Sequence, residues 1–129
     1  MNKDFQKWHD KKAQVDKLEK RPFFHEREIW FCSVGSNVGV EMDGRGTDFM
    51  RPVVIVHKFN SQSFWAIPLT RTIKDSNLYY VFSFIPDVQS AANLSQLRLV
   101  DAKRLGRLAG KMSETDFQEL VKRLKALLP

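Results

Sequence analysis

The run Val53-Val54-Ile55-Val56 constrains the fold of this chain more than any other feature. Four consecutive β-branched side chains favour a strand over a helix, because a helix restricts their χ1 torsions. Successive side chains of a strand point to opposite faces of the sheet, so an uninterrupted apolar run indicates a strand that is covered on both faces. We therefore expect residues 52–58 to form the central strand of a sheet.

Other segments of the chain also have the composition of strands. Those rich in β-branched and aromatic residues are 28–34, 63–69 and 79–85. Residues 94–100 are predicted to add another strand and 108–112 an edge strand, with a turn or short helix at 101–105 between them. The segment 35–50, which joins the first two strands, is long for a small domain, and loops of this length are usually functional.

The C-terminal segment has the pattern of an amphipathic helix. Ser113 followed by Asp116 resembles a capping box, although aspartate is shorter than the usual partner. Apolar residues then recur at three- and four-residue spacing, namely Phe117, Leu120, Val121, Leu124, Leu127 and Leu128. Several short strands followed by one helix predict an α+β fold, a half-open barrel with a helix packed on it.

The N-terminal segment differs from the rest of the chain. Residues 3–20 contain no glycine or proline and carry apolar side chains at helix-compatible spacing, at Phe5, Trp8, Val15 and Leu18. Arg21-Pro22 ends this pattern, because a residue before proline is displaced from helical torsions. We expect a helical extension over residues 1–22 and one domain over residues 23–129.

Composition limits the classes of function. The chain has 129 residues, of which 43% are hydrophobic and 28% charged, so a single folded domain is expected. No apolar run reaches the roughly 20 residues that span a bilayer, the N-terminus lacks a signal-peptide stretch, and the single cysteine, Cys32, cannot form an intramolecular disulfide. These features predict a cytoplasmic protein with a buried Cys32. The net charge of +6 favours a polyanion or an acidic protein as partner.

Two groups of polar residues bear on the kind of site. His9, His25 and His57 are too scattered for a metal-ligand motif, so we predict no metal and no other cofactor. Residues 98–111 form a basic cluster that contains one carboxylate, Asp101, and five cations, namely Arg98, Lys103, Arg104, Arg107 and Lys111. This cluster is either a nucleic-acid contact or a solvated surface.

An ordered set of sequence blocks resembles the PemK/MazF family of toxins from toxin–antitoxin systems. The blocks are Glu28-Ile29-Trp30, Asn37-Val38-Gly39-Val40-Glu41, Arg51-Pro52-Val53-Val54-Ile55-Val56, Ile67-Pro68-Leu69-Thr70, Gln96-Leu97-Arg98-Leu99-Val100-Asp101 and Arg104-Leu105, closed by a helix after Gly110-Lys111-Met112. The resemblance implies an SH3-like, small half-open β-barrel of the CcdB/MazF type, a homodimer, and metal-independent, sequence-specific cleavage of single-stranded RNA. It also implies an antitoxin partner with an acidic tail.

The same resemblance implies the site residues. Arg51, Thr70 and Glu41 would be catalytic: the arginine donating to the phosphate oxygens, the threonine lying beside the scissile phosphate, and the glutamate accepting the 2′-hydroxyl proton. RNA-binding candidates are Asn37, Phe49, Arg71, Lys74, Ser95, Gln96 and Arg98. Each catalytic candidate also has an ordinary structural interpretation. Arg51 could pair with Asp43 or Asp48, Thr70 could bond to local backbone, and Glu41 could be an exposed loop carboxylate.

The chain departs from the family pattern at several places. Some members carry a histidine, an arginine and an aspartate where this chain has Val40, Asn93 and Ser95, and shorter members lack the extension and the enlarged loop 42–50. Two other functions therefore stay open, a gyrase poison of the CcdB type and a non-catalytic nucleic-acid-binding module. The N-terminal helix could pack on the barrel, extend a dimer or offer a groove to the antitoxin, and the first is the default expectation.

Overall fold

The computed structural model describes residues 22–33, 50–73 and 75–129. The predicted N-terminal helix and the candidates Asn37, Glu41, Phe49 and Lys74 lie outside these ranges. The described elements, in chain order, are β1 (Glu28–Ser33), β2 (Met50–Lys58), β3 (Ser63–Thr70), β4 (Tyr79–Ile85), β5 (Val88–Asn93), β6 (Arg98–Asp101), β7 (Leu105–Lys111) and the helix α1 (Glu114–Ala126). The described part of the chain contains no helix that is both long and apolar enough to cross a bilayer.

The strands form one antiparallel sheet with the order β4-β5-β3-β2-β1-β7, and β6 pairs with β3 beside this path. Strand β2 lies between β1 and β3, and all four residues of the run 53–56 are buried. Val54 and Val56 belong to one apolar cluster and Val53 and Ile55 to another, on the opposite face. The prediction of a central strand covered on both faces is therefore confirmed.

The two apolar clusters define the two faces of the sheet near β2. On the first, which we call the helix face, Ile29, Ile67 and Leu69 join the two valines, and α1 covers them with Phe117, Leu120, Val121 and Leu124. On the second, which we call the Phe24 face, the buried residues are Phe24, Trp30, Cys32, Val53, Ile55, Phe64, Ala66, Val100, Ala102 and Leu105. Cys32 is fully buried, as predicted.

The sheet curls so that its two ends approach each other. Gly110 of β7 lies against the ring of Phe84 in β4, where an added Cβ atom would come within 2.7 Å of Phe84 Cδ2. Phe84 packs on the helix-face core together with Ala109, the neighbour of Gly110 in β7. This close approach, which glycine permits because it has no side chain, turns the sheet into the half-open barrel that the sequence predicts.

Helix α1 begins where the sequence indicates. The Ser113 hydroxyl accepts a hydrogen bond from Asp116 N (3.0 Å) and donates one to Asp116 Oδ2 (3.1 Å), so the cap closes on the Ser113 side chain. The stripe is shorter than predicted, because the helix ends at Ala126 and leaves Leu127 and Leu128 exposed. Tyr80 of β4 ties the helix to the sheet by donating to Asp116 Oδ1 (2.6 Å).

The predicted strand 94–100 is wrong in its first half. Residues Leu94–Gln96 form a 3-10 turn, capped by Asn93, and the strand β6 begins only at Arg98. Strand β5 was not anticipated, because Ser90-Ala91-Ala92 has weak β propensity. These small residues are buried where β5 pairs with both β3 and β4, so packing space determines their conformation. The predicted short helix is observed at Ala102–Arg104, and the last strand starts at Leu105 rather than 108.

Candidate functional site

The candidate site is built where β1 ends and β2 begins. Ser33 pairs with Met50, and Cys32 pairs with Arg51. The segment 34–49, with the candidates Asn37, Glu41 and Phe49, lies outside the described residues, but covalent continuity requires it to leave and return through Ser33 and Met50. Arg51 is exposed, and within the described ranges no carboxylate forms an ion pair with it.

Thr70 reaches the same end of the sheet from the other side of β2. The β2–β3 pairing ends at Val53 and Pro68 on this side of the sheet, so Arg51 in β2 and Thr70 in β3 each lie two residues beyond the last pair. By strand alternation both side chains belong to the Phe24 face, since Arg51 follows the phase of Val53 and Thr70 that of Ala66. The two principal catalytic candidates therefore lie at the same end of β2 and β3.

We call this end of the sheet the arginine edge and define it by Arg51 of β2, Arg98 of β6 and Arg104 of the 3-10 turn that follows β6. Arg104 Nη1 donates to Ser33 O (3.3 Å), next to Cys32, the cross-strand partner of Arg51. Burial raises the pKa of the Cys32 thiol to about 11, while the nearby charges of Arg104 and Arg98 act in the opposite direction and are outweighed. The thiol is thus protonated at neutral pH and is no nucleophile.

Arg104 was not among the site residues expected from the sequence. The available signal was the basic cluster of residues 98–111, which did not indicate which of its cations would contact the end of β1. The 3-10 turn at Ala102–Arg104, capped by Asp101, brings Arg104 back toward β1. Arg98, which was expected, lies opposite Ala66 in the β3–β6 pair.

The Thr70 hydroxyl accepts a hydrogen bond from Thr72 N (3.1 Å). This local bond is the structural role that a strand-end threonine commonly has, and it uses a lone pair of the oxygen. The hydroxyl proton is not consumed by that bond and can be donated to another acceptor. The structural and the catalytic interpretations of Thr70 are therefore compatible.

A cavity of about 700 Å³ opens beside Thr70 toward the helix face. Its wall is largely apolar and includes Phe31, Leu69 and Phe84, while Arg71 and Arg107 contribute positive charge at its rim. The Arg107 guanidinium lies 4.5 Å above the centre of the Phe31 ring, a cation–π contact. Arg71, an expected RNA contact, thus borders both this cavity and Thr70.

Ser95 and Gln96 lie on the 3-10 turn that precedes β6, and both are exposed. The Ser95 hydroxyl donates to Asn93 Oδ1 (2.7 Å), and the same oxygen accepts from Ser95 N (3.2 Å). Asn93 and Ser95, two positions at which the chain departs from the family pattern, therefore serve here to cap a turn. No described contact occupies the Gln96 side chain.

The described residues contain no group of three or more histidine, cysteine, aspartate or glutamate side chains that could hold a metal ion. The chemistry that the described edge offers is guanidinium donation and a hydroxyl. Guanidinium groups match the geometry and charge of phosphate oxygens, and several on one edge can hold a phosphodiester.

Comparison with known proteins gives a consistent result. Residues 25–128 match the sequence model of the family described as the PemK-like, MazF-like toxin of type II toxin–antitoxin systems. No curated protein matches the chain significantly. The matched range covers all seven described strands and α1.

Solved structures share the fold. The Mycobacterium tuberculosis toxin MazF-mt6 aligns with a TM-score of 0.59 and 15% identity over 78% of this chain and 94% of that chain. An endoribonuclease from a mycobacterial species, solved in complex with its cognate antitoxin, aligns at 0.62 and 17% over 84% and 97%. MazF from Deinococcus radiodurans aligns at 0.58 and 15% over 83% and 96%. The predicted half-open barrel of the CcdB/MazF type is confirmed.

Proposed function

Because the chain belongs to the PemK-like, MazF-like toxin family of type II toxin–antitoxin systems, we propose that it is a metal-independent endoribonuclease that cuts single-stranded RNA at specific sequences. The reaction is an internal transfer. The ribose 2′-oxygen attacks the adjacent phosphorus, the bond from phosphorus to the 5′-oxygen breaks, and the leaving oxygen takes up a proton. The products are a 2′,3′-cyclic phosphate and a 5′-hydroxyl.

The observation that supports this proposal is that Arg51 and Thr70 lie at the same end of β2 and β3, where Arg104 donates to Ser33 O. The nucleophile belongs to the substrate, so the protein has to orient the attack and stabilise the charge that builds on the non-bridging oxygens. The exposed Arg51 can donate to those oxygens in the transition state. The Thr70 proton can be donated to the same phosphate.

The proton of the 2′-hydroxyl needs an acceptor, and an arginine is a poor one because its pKa exceeds 12. We assign this role to Glu41, which belongs to the segment that joins β1 to β2 and matches the family's loop glutamate. Glu41→Gln is expected to lower the rate and to change its pH dependence, because the amide cannot take up a proton. Full activity of that variant across pH would remove Glu41 from the mechanism.

RNA contacts are proposed along the same edge. Arg71 directly follows Thr70 and Arg98 pairs with Ala66 of the same strand, so both suit phosphates of neighbouring nucleotides, while Gln96 offers hydrogen bonds to base edges. Asn37, Phe49, Lys74 and Ser95 stay predictions for the same surface. Single-strand binding by cations and stacking platforms is strongly salt-dependent, so the affinity should fall steeply as salt rises.

We further propose that the chain pairs as a homodimer and is held inactive by an antitoxin with an acidic tail. A structural neighbour was solved with its cognate antitoxin, and another as a MazE–MazF complex. The net charge of +6 and the arginine edge would attract such a tail to the surface that also binds RNA. The tail and RNA should therefore compete.

The test is incubation of the purified protein with a long single-stranded RNA in the presence of EDTA. Arg51→Ala and Arg51→Lys are run beside it, with Arg123→Ala as a matched control, since Arg123 is an exposed arginine of α1 paired with Glu119. Cut positions are mapped by primer extension and the ends are identified chemically. Loss of one transition-state donor typically lowers the rate about 10²–10³-fold.

The wild-type protein is expected to make discrete cuts that leave 5′-hydroxyl ends. Arg51→Ala should lose most of the cleavage activity and Arg123→Ala should keep all of it. Arg51→Lys should keep part of the activity, because lysine keeps the charge without the bidentate geometry. Absence of cutting by the wild-type protein would contradict the proposal and favour a gyrase poison or a non-catalytic binding module. Equal loss in Arg51→Ala and Arg123→Ala would show a general charge effect and remove Arg51 from the catalytic site.

A further inference from the structure

A row of apolar and aromatic side chains is exposed at the end of β2 that is remote from Arg51. His57 pairs with Trp65, and Trp65 pairs with Leu99, so the three side chains lie side by side across β2, β3 and β6. Phe59 joins them, and Phe59, Trp65 and Leu99 are 46%, 40% and 64% exposed. We call these four residues the aromatic row. Single exposed apolar residues are ordinary, whereas a contiguous row indicates a surface that is covered by something.

The aromatic row is held in place by its own contacts. The ring centres of His57 and Phe59 are 4.6 Å apart and those of Phe59 and Trp65 are 4.9 Å apart, both in edge-to-face geometry. His57 Nδ1 also lies 3.1 Å from Glu26 Oε2. A surface whose side chains are already fixed loses little conformational entropy when it is covered.

The described chain starts directly beside this row. Phe24 packs on Phe64 with ring centres 4.9 Å apart, and Lys58 Nζ donates to Phe24 O (2.8 Å). Glu26 Oε2 accepts from Lys58 N (2.9 Å), next to His57. Residues 24–26 therefore fasten the start of the barrel to the end of β2, and Phe23, immediately before them, is almost fully exposed.

The segment in front of Phe23 has the composition to cover the row. Its apolar residues Phe5, Trp8, Val15 and Leu18 fall on one side of a helix by spacing, and Lys11 and Lys12 interrupt this stripe. The family match begins only at residue 25, and the antitoxin-bound neighbour is covered over 97% of its length by 84% of this chain. This chain thus carries additional sequence directly before the part of the barrel where the aromatic row is exposed.

We propose that residues 1–21 form an amphipathic helix that packs its apolar stripe on the aromatic row. The connection through Pro22 and Phe23 is short, since each extended residue spans at most about 3.6 Å. A tether of this length gives the segment an effective concentration in the millimolar range at the row. A separate partner or a second copy of the chain would have to displace it.

This position of the helix leaves the arginine edge open. His57 follows Arg51 by six residues in β2, which corresponds to about 20 Å along an extended strand. The helix therefore stabilises the barrel at the end remote from Arg51. Packing of the helix on the row is independent of RNA cleavage and is measured as the surface exposure of the row.

Hydroxyl-radical labelling of the full chain, read residue by residue by mass spectrometry, tests this directly. The stripe variant carries Trp8→Glu and Leu18→Glu. The control variant carries Gln6→Glu and Ala13→Glu, which change the charge equally but lie off the stripe by helical spacing. Leu108 of β7, exposed and remote in sequence from the row, is the internal reference for an intact fold.

Oxidation of Phe59, Trp65 and Leu99 is expected to rise several-fold in the stripe variant and to stay at the wild-type level in the control, with Leu108 constant in all three. Equal oxidation in all three proteins would overturn the proposal. If the row is protected, if this protection weakens on dilution, and if the stripe substitutions leave it unchanged, the row is covered by a second copy of the chain. Protection that appears only when single-stranded RNA is added would assign it to the substrate, and both of these outcomes also overturn the proposal.

Discussion

The hydrogen bond between Tyr80 and Asp116 should make the free energy of unfolding depend on pH. Tyr80 is only 9% exposed and donates to Asp116 Oδ1 at 2.6 Å. Burial, and then the hydrogen bond and the negative charge of Asp116, raise the pKa of this phenol from 10.0 to about 12. The folded protein therefore retains the proton at a pH where the unfolded chain has lost it.

The sign and size of the effect follow from linkage. Between the unfolded and the folded pKa the native state binds more protons, so the stability contributed by Tyr80 is complete below pH 10 and is lost as pH rises toward 12. Two pKa units correspond to about 2.7 kcal/mol in total, of which roughly half, about 1.4 kcal/mol, is lost by pH 11. Tyr80→Phe abolishes this dependence, because phenylalanine does not titrate.

The assay is urea unfolding of wild type, Tyr80→Phe and Tyr79→Phe at pH values near 8 and near 11, followed by circular dichroism. Near pH 8 Tyr80→Phe should be less stable than wild type by about 1–2 kcal/mol, since Asp116 keeps its bond from Ser113 and is not left unpaired. The difference should shrink by about 1.4 kcal/mol near pH 11. If the difference in stability between Tyr80→Phe and wild type is the same at both pH values, or if Tyr79→Phe shows the same change, the raised pKa of Tyr80 is not its cause.

Three other perturbations have expected outcomes. Leu120→Ala removes a fully buried side chain through which α1 covers the helix face, and it should lower the free energy of unfolding by about 2–5 kcal/mol in urea titrations. Gly110→Ala forces a Cβ atom toward Phe84 and should cost about 1–3 kcal/mol, with Gly110→Ala combined with Phe84→Leu recovering part of it in thermal unfolding. Cys32, whose thiol pKa is about 11, should resist alkylation near pH 8 in the native protein and react rapidly in urea, as measured by mass spectrometry.

The parts of the fold that the sequence predicted are those in which local pattern and tertiary packing agree. The residues of the run 53–56 have high β propensity and are buried on both faces of the sheet. Ser113 follows the last strand and caps the helix. Strand β5 was missed because Ser90-Ala91-Ala92 has little propensity of its own and is extended by pairing on both sides. Leu127 and Leu128 follow the apolar spacing of α1, but the helix ends one residue before them.

The site was predictable only in part, for a physical reason. Arg51 and Thr70 were named from a resemblance in sequence blocks, and their position at one end of β2 and β3 depends on the strand register, which no local pattern encodes. In the sequence Arg104 is one of five cations in a basic cluster. Only the structure shows that the turn at Ala102–Arg104 brings it to Ser33. Local pattern identifies elements, whereas the convergence of side chains from different strands is set by the topology.

In the proposed reaction the RNA supplies its own nucleophile, and Arg51 and Thr70 only orient and stabilise the attack. Two synthetic oligonucleotides around one mapped cut site, identical except for a single 2′-deoxyribose on the 5′ side of the scissile phosphate, test this reaction. The all-ribose oligonucleotide is expected to be cut, and the deoxy-substituted one is expected to bind with similar affinity and not to be cut. Cutting of the substituted oligonucleotide at the same bond would contradict the proposed reaction, because another nucleophile would then have attacked the phosphorus.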